Sequence, residues 1–243
     1  MKILALDSSG LVATVAILED ETVLAEYTLN YKMTHSQTLL PMLDEIVKRT
    51  GFVMEDLDAI AVAAGPGSFT GLRIGCATAK GLGLALDKPI IPIPTVDGLA
   101  YNLAGTSSLV CPLMDARRNQ VYTGLYAFQG EQMEVCIPQK AVAIEEIIAD
   151  VNASGREVIF LGDGVPVQKD ILQREVKVPF RFAPPHLSRQ RAGALGTLAI
   201  QYYKAGNMQH ARDHKPDYLR LSQAERERLE KEKHNKGEEN GNS

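Results

Sequence analysis

The order of predicted elements starts again half-way along the chain, and this restart most limits the folds open to it. Residues 2–7 (KILALD) read as a buried strand that runs into a Ser8-Ser9-Gly10 turn. Residues 11–18 and 22–29 read as two more strands, with Glu19-Asp20-Glu21 turning between them. Turns this short join antiparallel neighbours, so the three predict a meander. A helix follows over 35–50, with Leu39, Leu43, Ile46 and Val47 on one face and Leu40 beside it. Thr34 or Ser36 is its expected cap and Gly51 its stop. Pro41 must lie near the first turn or bend the helix. A strand over 58–64, a Gly65–Ser68 loop, a helix over 69–86, a strand over 89–93 and a helix over 95–104 capped by Thr95 complete the first half. From residue 109 the series repeats. A strand over 109–114 closes at Asp115, Arg117-Arg118-Asn119 turn, and strands over 120–128 and 132–137 flank a Gly130-Glu131 turn. A helix over 143–153, a strand over 157–161 ending in Gly162-Asp163-Gly164 and a long helix over 187–205 follow. The two halves share little residue identity, so the repeat is architectural.

The rest of the composition sets broad limits. The chain has 243 residues, 45% hydrophobic and 23% charged, which suits one large globular domain or two small lobes. A formal net charge of −4 argues against a self-sufficient nucleic-acid binder, although a local basic patch is compatible with it. The three cysteines, Cys76, Cys111 and Cys136, form no CxxC pair, so neither a zinc site nor a disulfide framework is expected. Reduced thiols in a cytoplasmic protein fit better, with no signal-peptide pattern at the start and no uncharged run long enough for a bilayer. From Ser222 onward the chain is charged and poor in apolar residues, which predicts a disordered tail.

Several segments carry candidate chemistry. Asp7-Ser8-Ser9 reads either as a phosphate-binding turn, with hydroxyls and N–H groups for phosphate and a carboxylate for a hydrated metal, or as a polar hairpin turn. Asp115 closes the matching strand, but no glycine follows until Gly124. Arg117 and Arg118 stand where a backbone approaching phosphates would need glycine, which suggests a degenerate cleft. These arginines suit a solvated turn, an acidic partner or RNA phosphates. Residues 65–75 (GPGSFTGLRIG) form the strongest local signal. They match neither a phosphate loop, which ends in Gly-Lys-Ser/Thr, nor GxGxxG, so close helix packing or a partner role is expected. His35 has no histidine at ligand spacing, His210 and His214 lie in a loop, and no GxSxG elbow is present.

A duplicated βββαβα unit with an Asp closing the first strand of each half resembles the actin, Hsp70 and sugar-kinase superfamily. There the two Asp-bearing turns face each other across a cleft for ATP phosphates and a metal ion. The segments ILALDSS, THSQTLLPML, AVAAGPGSFTGLRIG, PLMDARRNQVYTGLY and DYLR resemble, in order and spacing, the TsaB family, also called YeaZ, over about residues 1–221. The resemblance implies an α/β fold of two such lobes, 1–106 and 107–221, with residues 222–243 as the tail. It implies a non-catalytic scaffold in the complex that transfers a threonylcarbamoyl group to the adenosine next to the anticodon of tRNAs reading codons that start with A. Its implied partners are a TsaD-like catalytic subunit and a TsaE-like ATPase, with a homodimer in isolation and tRNA met through the complex. TsaD-like chains carry a metal-binding histidine pair, whereas the comparable stretch here, Leu40 to Arg49, has no histidine. Partner contacts are expected on the helices over 35–50 and 69–86, from His35, Leu39, Leu43, Ile46, Gly71, Arg73, Gly75, Cys76, Ala79 and Gly83. No cofactor is required of the chain, and the cleft or the complex admits ATP or ADP, with Asp7, Ser8, Ser9, Asp115, Gly162, Asp163 and Gly164 as the nucleotide candidates. Two rivals stand beside this reading. One is a stand-alone ATP-binding or ATP-hydrolysing enzyme of the superfamily using Asp7 and Asp115. The other, a metal-dependent peptidase, lacks the histidine ligands.

Overall fold

Two sheets of five strands each carry the duplication, and their orders correspond strand for strand. The computed structural model describes residues 1–31 and 34–219; the tail expected after residue 221, and Arg220 of the DYLR segment, lie outside the described residues. In the first sheet the order is β3 (Thr22–Leu29), β2 (Ala13–Glu19), β1 (Lys2–Asp7), β4 (Ala59–Gly65), β5 (Ile90–Pro94). The second runs β8 (Gln132–Ala143), β7 (Gln120–Gln129), β6 (Leu109–Asp115), β9 (Val158–Leu161), β10 (Phe180–Phe182). In each, the meander pairs antiparallel and the strand after the helix joins in parallel beside the first strand. The middles of β1, β4 and β9 are apolar runs that suit strands covered on both faces, while the edge strands β3 and β8 are largely exposed. Pro138 sits within β8, where an edge strand can spare one N–H.

The helices make three layers around the sheets. α1 (His35–Thr50) and α2 (Phe69–Leu86) cover the outer face of the first sheet, burying Leu39, Met42, Leu43 and Ile46 on Leu4, Leu6, Val15 and Ile17. α4 (Ile144–Ser154) and α5 (Gly164–Glu175) cover the outer face of the second. Between the sheets lie α3 (Thr95–Ala100), whose Val96, Leu99 and Ala100 pack on β6 and β9, and α6 (Ala192–Lys204), whose Leu195, Leu198 and Ala199 pack on Ile3, Ala5 and Leu18. A change of lobe near residue 106 separates the two sheets, but α6 and the segment after it return to the first sheet.

Several local expectations change. Thr34 holds the cap position of α1 without a side-chain cap bond, and Ser36 meets only the Thr34 hydroxyl. Gly51 does stop α1, at φ 66, with its N–H on the Val47 carbonyl. Pro41 lies inside α1, past the first turn. Thr95 is the first residue of α3 and not its cap; its hydroxyl accepts from the Gly65 N–H at 3.1 Å. β8 runs on to Ala143 because β7 pairs with it through Gln120 opposite Ala143. α5 and β10 carried no usable pattern, the first being largely polar with a proline in its first turn and the second only three residues long. Among the described residues, no helix is long and apolar enough to cross a membrane.

A buried carboxylate ties the layers together. Asp97 of α3 accepts hydrogen bonds from Tyr126 of β7 at 2.7 Å and from Tyr202 of α6 at 3.3 Å. Burial holds the Asp97 carboxyl above the ordinary carboxylate range. Asp97→Ala should lower stability by about 2–4 kcal/mol, because it leaves the buried Tyr126 hydroxyl without a partner; urea unfolding measures this as a lower midpoint at unchanged slope.

Candidate functional site

Parallel pairing of β1 with β4 brings the turn after Asp7 against the loop after Gly65. Asp7 is only 3% exposed, and Ser8 and Ser9 are buried with it. The Asp7 Oδ1 accepts from the Ser9 N–H at 2.7 Å and the Ser9 hydroxyl at 2.6 Å. The Ser8 hydroxyl donates to the Gly71 carbonyl at 2.9 Å, and the Ser68 N–H donates to the Ser9 carbonyl at 2.7 Å. Glycine is what permits this approach: a Cβ on Gly71 would lie 2.0 Å from the Ser8 carbonyl oxygen, and one on Gly67 2.4 Å from that of Ser9. The GPGSFTGLRIG segment is thus the surface on which the Ser8-Ser9 turn rests.

The open side of the turn is covered too. Gln190, 2% exposed, lies so close that a Cβ on Gly10 would be 2.7 Å from its Nε2. His35 donates from Nε2 to the Gly10 carbonyl at 2.9 Å. The preceding residue, Arg189, donates from Nη1 to the Gly162 carbonyl at 2.9 Å. Arg189 and Gln190 therefore span the space between the two Asp-bearing turns. No motif marked them in the sequence, where they are two polar residues ahead of an apolar helix.

In the second half Asp115 is exposed and accepts from the Arg117 N–H at 2.9 Å. Its own N–H donates to Asp163 Oδ1 at 3.1 Å. Burial pushes the Asp163 carboxyl up. Gly162, at φ +111, and Gly164 let the start of α5 press on the Leu113 carbonyl. The nucleotide candidates thus fall into two groups, Asp7-Ser8-Ser9 and Asp115 with Gly162-Asp163-Gly164, each bonded within itself. The hydroxyl protons of Ser8 and Ser9 are donated inside the chain, to the Gly71 carbonyl and the Asp7 carboxylate.

The partner-face candidates need a correction. Leu39, Leu43 and Ile46 are buried in the chain's own core. Gly71, Gly75, Cys76, Ala79 and Gly83 lie on the inner face of α2, where a Cβ on Gly75 would be 2.8 Å from the Ser8 hydroxyl and one on Gly83 2.8 Å from Ala211. His35 is half-buried, and Arg73 alone of this set is exposed. Helical spacing marks an apolar face, but the first sheet takes that face. The exposed apolar residues of these helices are Leu40, 51% exposed, Pro41, Ala77, Leu84, 54% exposed, and Ala85, while the half-buried Ile74 and Leu82 pack against the core of the first sheet.

The segment after α6 docks on the same loop. The Asp217 N–H donates to the Ala64 carbonyl at 2.7 Å. Tyr218 stacks at 4.7 Å from Phe69, and Arg73 lies 4.1 Å over the Phe69 ring, donating to the Tyr218 hydroxyl. Lys80 donates to the carbonyls of Arg212 and His214. His214 is buried against Gln209, and its ring is desolvated to a pKa of about 4. Among the described residues, no group of three or more His, Cys, Asp or Glu side chains is placed to hold a metal ion.

A family model described as "TsaD: tRNA N6-adenosine threonylcarbamoyltransferase" matches residues 22–228. The tRNA threonylcarbamoyladenosine biosynthesis protein TsaB of Bacillus subtilis is 34% identical over 236 residues, covering 96% of this chain and 100% of that one. The chain belongs to the TsaB family. Among solved structures, YeaZ from Pseudomonas aeruginosa superposes at a TM-score of 0.77 with 27% identity, over 90% of this chain and 99% of that one. (R)-2-hydroxyglutaryl-CoA dehydratase component A of Acidaminococcus fermentans, with a TM-score of 0.50 and 12% identity over 85% of this chain and 99% of that one, shares the fold alone. The duplicated actin, Hsp70 and sugar-kinase fold expected from the sequence is the fold observed.

Two outcomes follow for this TsaB-family chain. Gly71→Ala should cost about 3 kcal/mol or more, since backbone stands where the methyl would go; thermal unfolding measures the loss. Burial raises the Asp7 carboxyl from 3.8 to about 6. The native state then holds the proton more tightly than the unfolded chain. Its contribution is present below pH 4 and is lost as pH rises through 6, by up to about 3 kcal/mol. Urea unfolding over that window should show the wild type losing stability relative to Asp7→Asn, the difference separating Asp7 from the other buried carboxyls.

Proposed function

We propose that the chain is a non-catalytic subunit of the cytoplasmic machinery that places a threonylcarbamoyl group on the adenosine beside the anticodon of tRNAs reading codons that start with A. It grips a TsaD-like catalytic subunit, with it receives a TsaE-like ATPase, and pairs with itself when alone. One observation carries the reading. The turn that holds phosphate elsewhere in this fold has its Ser8 and Ser9 hydroxyls bonded inward, and Arg189 and Gln190 stand between it and its counterpart. The role of the Bacillus subtilis TsaB relative in tRNA threonylcarbamoyladenosine biosynthesis supports the tRNA modification, and the match to the TsaD family supports kinship with the transferring subunit.

In this reading the contribution of the chain is shape. The outer surface of α1 and α2 offers Leu40, Pro41, Ala77, Leu84 and Ala85, with Arg73 at the α2 N-terminal end. Small exposed residues on α2 let a partner helix come close, and the leucines contribute ~25 cal/mol per Å² of apolar surface removed from water. The glycine-packed inner face of α2 supports this surface from beneath, so the grip is rigid without the buried leucines taking part. The rival, a stand-alone ATP enzyme, requires Asp7 to reach a nucleotide. It predicts ATP binding by the isolated chain and turnover that falls on Asp7→Ala, and calorimetry that detects no ATP binding removes it.

Leu40→Asp combined with Leu84→Asp should abolish co-elution with a TsaD-like subunit at micromolar concentration while leaving the fold intact by circular dichroism. A wild-type chain that migrates apart from that subunit contradicts the proposed function.

A further inference from the structure

The hairpin turn between β6 and β7 has a backbone that its side chains do not suit. Arg117, Arg118 and Asn119 take φ of 62°, 55° and 57° in succession, all left-handed. Glycine adopts this region without cost, whereas a side chain there strains the backbone, and three residues in a row are uncommon. A solvated turn has no reason to keep two arginines in such a conformation, and strain of this kind collects at binding sites.

The turn is held by its neighbours and not by its arginines. The Ala116 N–H donates to the Gln120 carbonyl, the Gln120 N–H to the Arg117 carbonyl, and the Arg117 N–H to the Asp115 carboxylate. Asp115 is fixed in turn through its N–H to Asp163. Among the described residues, nothing accepts from the N–H groups of Arg118 and Asn119, and neither guanidinium has an ion-pair partner, although both side chains are exposed. Two free N–H groups and two fork-shaped cations therefore share one narrow tip. Free backbone N–H groups at a turn can take an anion. A guanidinium matches a phosphate through two parallel hydrogen bonds.

On the footing of the tRNA-linked function above, we propose that the Arg117-Arg118-Asn119 tip is a contact for the phosphate backbone of the tRNA, so that this subunit helps to seat the RNA as well as hold its partner. The net charge of −4 confines the attraction to this local cationic point, and a single turn tip can touch neighbouring phosphates of one strand. The contact positions the RNA and reads no base.

The test uses the full chain assembled with a TsaD-like subunit and a fluorescently labelled tRNA transcript, followed by anisotropy from low to moderate salt. Arg117→Ala with Arg118→Ala should weaken binding on the order of tenfold near 0.1 M salt and make the slope of log K against log[salt] shallower by about two. Arg117→Gly with Arg118→Gly should lose RNA in the same way while raising Tm, because glycine relieves the left-handed strain. A turn of merely structural importance would not separate those two readouts, and the glycine pair keeps the test usable should the alanine pair misfold. Co-elution with the TsaD-like subunit should be unchanged in both. Wild-type affinity and slope in both variants overturn the RNA contact and leave the subunit reading intact. Loss of co-elution with RNA affinity retained assigns the tip to an acidic protein surface and overturns it as well. A wild-type assembly that retains no tRNA removes both this contact and the function on which it rests.

Discussion

The contact between the Ser8-Ser9 turn and the start of α2 organises the rest of the molecule. Here two backbones touch, Ser8 against Gly71 and Ser9 against Gly67, at separations that exclude any Cβ. The glycines cost conformational entropy in the unfolded chain, and the close approach offsets that cost through the Ser8 hydroxyl bond to the Gly71 carbonyl and the Ser68 N–H bond to the Ser9 carbonyl. With α2 seated in this way, its inner face lies on Val62 and Ala211, and its outer face stands out toward solvent. The docking of Asp217 and Tyr218 on the same loop fixes it from the other side.

The same contact accounts for the state of the cleft. A phosphate turn needs free hydroxyls and N–H groups on its open side; here the Ser8 hydroxyl serves the packing of α2, and the Ser9 hydroxyl and N–H are taken by the Asp7 carboxylate. Gln190 and Arg189 take the remaining space, one against Gly10 and the other on the Gly162 carbonyl. Asp97, Tyr126 and Tyr202 tie the middle layer together.

Much of the architecture was legible because it rests on short-range signals. The βββαβα restart and the Gly51 stop follow from apolar periodicity and turn chemistry, which are local properties. The short β10 and the polar α5 were not legible, because three residues and a weak apolar stripe carry too little pattern. Leu39, Leu43 and Ile46 show the limit for a site. Their spacing identifies an apolar stripe, but a stripe that meets its own sheet and one that meets a partner are written identically. Gln190 left no trace at all, because its role depends on a glycine 180 positions earlier in the chain.

The sequence by itself determined the fold class, the family and the loss of glycine from the second turn, since each is a statement about residue types in order. Only the tertiary structure decided which face of α1 and α2 is outward, that the Asp7 turn is closed, and that Arg117, Arg118 and Asn119 are held left-handed. These depend on distances between residues far apart in the chain and on φ angles imposed by strand pairing around the turn. Neither is encoded in the spacing of apolar and polar residues along a single segment.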